Sequence, residues 1–98
     1  MANPNRTTPL AEHRLTEQLY PCTFPIKAVG HNADDFAALV VALVAPHAPE
    51  VQRQTPKVQY SRQRRYQSVT VVITARSRAH IDAIYRDLND HERVVTAL

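Results

Sequence analysis

Tyr66-Gln67-Ser68-Val69-Thr70-Val71-Val72-Ile73-Thr74-Ala75 is the stretch that decides the fold. Val69, Val71, Ile73 and Ala75 alternate with Tyr66, Ser68, Thr70, Val72 and Thr74, the period of two that a strand needs to bury one face. Its β-branched residues suit a pleated surface, and the first set is expected to face the core. Just beyond, Ser77 is placed to cap a helix that carries Ile81, Ile84, Tyr85 and Leu88 at i, i+3, i+4 and i+7. Arg78, Asp82, Arg86 and Asp87 fall on its solvent side, Asn89 and Asp90 end it, and a last strand is expected from Arg93 to Leu98.

Upstream, the segment Val51 to Tyr60 reads as an edge strand with Pro56 at its start, Val58 and Tyr60 facing opposite to Lys57 and Gln59. The basic connection Ser61-Arg62-Gln63-Arg64-Arg65 makes a hairpin of the two strands. Further back, Phe24 to Val29 alternates as a strand and ends at Gly30, the one glycine of the chain, where positive φ or a close backbone approach is expected. Asn32 then reads as an N-cap, with Asp34 and Asp35 complementing the helix dipole, and a helix is expected from about Ala33. Phe36, Leu39, Val40, Leu43 and His47 give that helix its apolar face, Ala37, Val41 and Val44 widen it, and Pro46 and Pro49 stop it.

The order β-α-β-β-α-β places the chain in the α+β class as a ferredoxin-like βαββαβ sandwich, a four-stranded antiparallel sheet with two helices on one face. Tyr20-Pro21-Cys22-Thr23-Phe24-Pro25 leads into the first strand, its two prolines suiting an extended sheet edge. Residues 1–19 read as a flexible tail, with Thr8-Pro9 as the start signal for a short helix through Gln18 that puts Leu15 and Leu19 on one side. Residues 20–98 are expected to form the single domain.

The 98 residues leave room for one core, and 44% apolar with 21% charged residues is ordinary globular composition. The apolar run from Phe36 to Ala45 is about half of what a bilayer needs, so no membrane span is expected. A single cysteine, Cys22, cannot form an internal disulfide, and the expected location is the reducing cytoplasm. The net charge of +3 permits anionic partners without demanding them.

Among sites with recognisable chemistry, most fail on spacing. His13, His31, His47, His80 and His91 include no i, i+4 pair and no close cysteine, so no metal or other cofactor is expected. Gly30-His31-Asn32-Ala33 lacks the C-x-x-C that copper-carrying domains place before the first helix, and no arginine lies between Lys27 and Arg53 as acylphosphatases require. Cys22 has no local base, Asp34 and Asp35 are accounted for as helix-start residues, and no catalytic residue is assigned. Arg62, Arg64 and Arg65, with Tyr60 and Tyr66 nearby, are the nucleic-acid candidate. The central strands, however, offer Lys27, Val29, Thr70, Val72 and Thr74 where RNA-recognition motifs carry aromatics, which argues against it.

Taken together, these segments resemble the YbeD-like family of small uncharacterised bacterial proteins. The match rests on Tyr20-Pro-Cys-Thr-Phe-Pro-Ile-Lys-Ala-Val-Gly30, on Tyr66-Gln-Ser-Val-Thr-Val, on Tyr85-Arg-Asp-Leu88 with His91 and Val94 to Leu98, and on His47-Ala48-Pro49. The chain departs from the family pattern in its Arg62-Gln63-Arg64-Arg65 hairpin and in having Val29 where the family has a methionine. The resemblance implies a ferredoxin-like fold similar to ACT regulatory domains and no established enzymatic activity. By analogy with the metabolite sites of ACT domains, it directs attention to Lys27, Gly30, His31 and Asn32 at the first strand-to-helix junction, where free helix N–H groups can hold a carboxylate.

The expected function is therefore that of a non-enzymatic regulatory or adaptor domain that binds a small metabolite or a protein partner. Val29, Thr70, Val72 and Thr74 on the open sheet face form the candidate partner surface, which a homodimer would bury. The alternative is a nucleic-acid-binding module using Arg62, Arg64, Arg65 and Tyr66.

Overall fold

The computed structural model describes residues 20–98, so the expected tail and its Pro9–Gln18 helix lie outside the described residues. Strand β1 spans Cys22–His31, helix α1 Phe36–Val44, a 3-10 turn Pro49–Arg53, β2 Lys57–Tyr60, β3 Tyr66–Ala75, helix α2 Arg78–Asp90 and β4 Val94–Ala97. The sheet order is β2-β3-β1-β4 with every neighbouring pair antiparallel, the ferredoxin-like arrangement expected from the sequence.

The alternation in β3 is realised as read. Val69, Val71, Ile73 and Ala75 are buried, while Tyr66, Ser68, Thr70, Val72 and Thr74 project from the opposite face. Ile26 and Ala28 of β1 join them from across the ladder, and Phe36, Val40 and Val44 of α1 with Ile81, Ile84 and Leu88 of α2 close the core from above. Leu39 and Leu43, expected on the buried face of α1, are only half-buried, because the stripe that meets the sheet runs at four-residue steps through Phe36, Val40 and Val44. Ser77 caps α2 as expected, its Oγ accepting from the His80 N–H at 3.1 Å.

Several boundaries differ from the sequence reading. β1 is longer than Phe24–Val29: Lys27 exchanges backbone hydrogen bonds with Leu98, so the outward amide position two residues earlier, at Pro25, looks past the end of β4 where no N–H is required. Gly30 lies inside the strand and not at its end, and without positive φ. What it supplies is the close approach: a Cβ there would collide with the Phe36 ring and lie 2.6 Å from the Arg93 carbonyl oxygen. The register against β4 shifts at the same place, Val29 pairing with Thr96 and Gly30 with Val94, which leaves Val95 as a bulged residue.

Helix α1 starts at Phe36 and not near Ala33, and its N-cap is Asp35 and not Asn32. Neither side chain caps the helix: Asp35 accepts two hydrogen bonds from the Arg93 guanidinium at 2.7 and 3.1 Å, and Asn32 is engaged elsewhere. The expected edge strand from Val51 shrinks to Lys57–Tyr60, because Pro49 opens a 3-10 turn that delivers Val51 fully into the core. Gln54 and Glu50 then take over part of the strand's task. The Gln54 amide both donates to Val72 O at 2.9 Å and accepts from Val72 N at 2.7 Å, and Glu50 accepts from Thr74 N at 2.9 Å. The last strand, expected from Arg93 to Leu98, is Val94–Ala97.

Two histidines join the helices to this frame. His80 is buried and accepts the Arg76 N–H at Nδ1, so its Nε2 carries the proton donated to His47 O at 2.8 Å. His47, in the turn after α1, meets Asp87 of α2 at 2.6 Å.

Candidate functional site

The face of the sheet away from the helices carries Lys27, Val29 and His31 from β1, Ser68, Thr70, Val72 and Thr74 from β3, and Gln59 from β2. The four strands contain no aspartate or glutamate, so the charged side chains that they place on this face include the cations Lys27 and Lys57 and no anion. At one end of this face lies a shallow, solvent-open depression of about 400 Å³, walled by Lys27, Val29, Gln59, Tyr66, Ser68 and Leu98. An amine, amides and hydroxyls thus meet the aliphatic side chains of Val29 and Leu98 in one hollow, which Ser61 also lines.

The residues singled out at the first strand-to-helix junction do not converge on one point. Lys27 and His31 share the open face because they are four apart in a strand, whereas Gly30 faces the core under the Phe36 ring. Asn32 sits at the rim and fastens the junction to the hairpin. Its N–H donates to Arg65 O at 2.9 Å, its Nδ2 to Arg64 O at 3.0 Å, and its Oδ1 accepts from Gln67 Nε2 at 2.9 Å. Val29, Thr70, Val72 and Thr74 do share one face, with Val72 the most exposed of the valines within β1 and β3.

The hairpin and the junction, two separate candidates in the sequence, are brought together in the structure. His31 and Tyr66 are register partners on neighbouring strands, and their rings lie 5.1 Å apart. The tip is shaped by Ser61, whose carbonyl accepts from Arg64 N and whose Oγ accepts from Tyr66 N. Arg64 adopts a left-handed backbone conformation, φ 57°, and its guanidinium lies 4.7 Å above the centre of the Tyr60 ring. Arg62, Arg64 and Arg65 are all exposed.

Gln67 was passed over in the sequence reading, although a glutamine in register with Val69 and Val71 on the core face was the visible signal. It is 4% exposed, donates to Asn32 and Ala33, and leaves its Oε1 without a partner among the described residues. Gln59, Ser68 and Leu98 were also missed, since only the sheet order brings them beside Lys27.

Two carboxyl groups are shifted by their neighbours. The Arg93 guanidinium holds Asp35 below the usual carboxylate range, and the Thr74 N–H does the same to Glu50. Both are structural braces at the margins of the sheet, outside the depression. Cys22 is partly buried against the core, and among the described residues no three metal-ligating side chains come together. No helix of the described residues is long and apolar enough to cross a membrane.

The chain is 38% identical to a UPF0250 protein of Nitrosomonas europaea over 89 residues, which is 91% of this chain and all of that one. A UPF0250 protein of Ralstonia nicotianae is 37% identical over 97 residues, 99% of this chain and 97% of its own length. The solution structure of protein HP0495 from H. pylori aligns with a TM-score of 0.57 at 16% identity, covering 82% of this chain and 84% of that one, a likeness of fold alone. Residues 16–98 match the family model described as Protein of unknown function (DUF493), so the chain belongs to that family, the small bacterial UPF0250, or YbeD-like, proteins.

Proposed function

We propose that this protein is a binding domain, not an enzyme, and that the depression on its open sheet face receives a small carboxylate with an apolar tail. One observation carries the reading: Lys27 projects into a hollow that also presents Ser68, Tyr66 and Gln59 as hydrogen-bonding groups and Val29 and Leu98 as apolar walls. A carboxylate gains a counter-charge and hydroxyl donors there, while its tail lies along the aliphatic side chains. No aspartate or glutamate of the four strands competes for Lys27. Val72, 41% exposed on the same face between Thr70 and Thr74, supports an adaptor role in which a protein partner reads the ligand-occupied sheet.

Titration of the labelled protein with hexanoate and with leucine, followed by amide chemical shifts, tests the reading. The expected shifts concentrate at Lys27, Val29, Gln59 and Ser68, and Lys27→Met weakens binding about tenfold or more, as loss of a charge-assisted bond does. Shifts centred elsewhere, or a Lys27→Met protein that binds equally well, would overturn it.

A further inference from the structure

The hairpin tip is more ordered than a solvated basic turn needs to be. Asn32 ties down two successive carbonyls of the tip, Arg65 O and Arg64 O, and Ser61 closes it from inside through its carbonyl and its Oγ. Arg64 occupies the left-handed position that glycine takes at no steric cost, a conformation that costs an L-residue about 1 kcal/mol and persists only where the surroundings impose it. Its guanidinium is fixed over Tyr60, which is 48% exposed, while Tyr66, 36% exposed, lies beside His31. One guanidinium, that of Arg64, and the rings of Tyr60, Tyr66 and His31 thus have partners before any ligand arrives, which lowers the ordering cost of binding.

The tip also has a track. A second hollow of about 240 Å³, walled by Ser61, Arg62, Gln63, Arg65 and Tyr66, shares Ser61 and Tyr66 with the depression that leads to Lys27. Two adjoining open hollows lined by cations and by a tyrosine fit a chain-like anion with stackable rings better than a compact one. In the adjoining β1–α1 junction the Asp35 carboxylate is paired with Arg93, which leaves the exposed Asp34 as the acidic side chain there that a phosphate has to avoid.

We propose that this tip, with the facing β1–α1 junction, binds single-stranded nucleic acid. Arg62 and Arg65 contact phosphates, Arg64 braces Tyr60, and Tyr66 with His31 supplies the platform on which a base stacks. The site adjoins the hollow of the proposed function without depending on it, and Lys27→Met leaves most of its affinity in place.

Fluorescence anisotropy with end-labelled U12 and dT12, measured between 50 and 200 mM salt, tests the inference. Binding is expected to weaken with salt, and Arg62→Ala/Arg65→Ala to reduce the log–log slope by about 1.4, from roughly 0.7 per phosphate contact on single strands. Tyr66→Leu is expected to weaken binding about fivefold to a hundredfold with the slope unchanged. Arg62→Glu/Arg65→Glu, confined to exposed side chains and so compatible with folding, is expected to abolish it. No binding at 50 mM salt overturns the inference. So does binding that the charge-reversed tip retains, or binding to dextran sulfate as tight as to U12 and equally indifferent to Tyr66→Leu.

Discussion

The outer edge of β3 is closed in two ways along its length. From Gln67 to Thr70 it is paired residue by residue with the backbone of β2, while at Val72 and Thr74 the backbone finds side chains, Gln54 and Glu50, in place of a strand. The first half is a ladder that any strand-forming sequence could supply. The second depends on two named side chains reaching from a 3-10 turn, so single substitutions should expose it. An exposed β edge invites pairing with another chain, and the 3-10 turn keeps β3 from presenting one there.

Gln54→Ala gives the largest expected effect, since one side chain serves both the donor and the acceptor of Val72. Loss of about 2 kcal/mol is expected in urea unfolding, a midpoint drop of roughly 8–16 °C at this domain size. Sedimentation velocity should then show self-association through the uncovered edge. Unchanged stability and a monomer would mean that the side-chain half contributes nothing.

At the other end of the edge, Asn32→Ala removes the side-chain half of the clamp on the hairpin tip, the bond to Arg64 O, and one acceptor of Gln67 Nε2, which keeps Ala33 O, while the backbone bond to Arg65 O remains. A loss of about 1–1.5 kcal/mol is expected, with hydrogen-exchange protection falling at Arg64–Tyr66 and not at Val72. Protection lost evenly across β3 would break the distinction between the two halves.

The smallest effect separates Glu50 from Gln54 by pH. Because the Thr74 N–H lowers the folded-state pKa of Glu50 below its ordinary 4.5, its contribution is fully present above that value and fades as pH falls through the lowered one. Glu50→Gln should therefore lower the stability plateau above pH 4.5 and leave the acid end little changed, which flattens the acid limb of a stability–pH curve, and an acid limb identical to that of the parent protein would remove Glu50 from the edge.

The same contrast explains what could be read in the sequence. β3 was legible from end to end because alternation over ten residues is a local signal, and α2 because Ser77 and the Ile81–Leu88 spacing lie within one helix. Val51–Tyr60 was not, because apolar residues at strand spacing also suit a 3-10 turn that drops one valine into the core and sends polar side chains back to the sheet. Asn32 illustrates the site. Its type and position fit an N-cap, yet the hairpin carbonyls and Gln67 stand closer in space and take its side chain. Lys27 and the arginines were visible as candidates, but not the Gln59, Ser68 and Leu98 that surround Lys27 or the His31–Tyr66 contact that joins the two candidate sites.

By itself, the sequence determined the order of elements, the buried face of β3 and of α2, the acid-free composition of all four strands and the need for glycine at position 30. Those properties follow from side-chain period, charge and backbone freedom, which act between near neighbours. Only the tertiary structure decided that Gly30 is required by the Phe36 ring and not by a turn, that Asn32 grips the hairpin and not α1, and that side chains finish the edge of β3. Each is a competition among partners distant in the chain, and it is settled by which donor and which acceptor the packed core leaves within about 3 Å of one another.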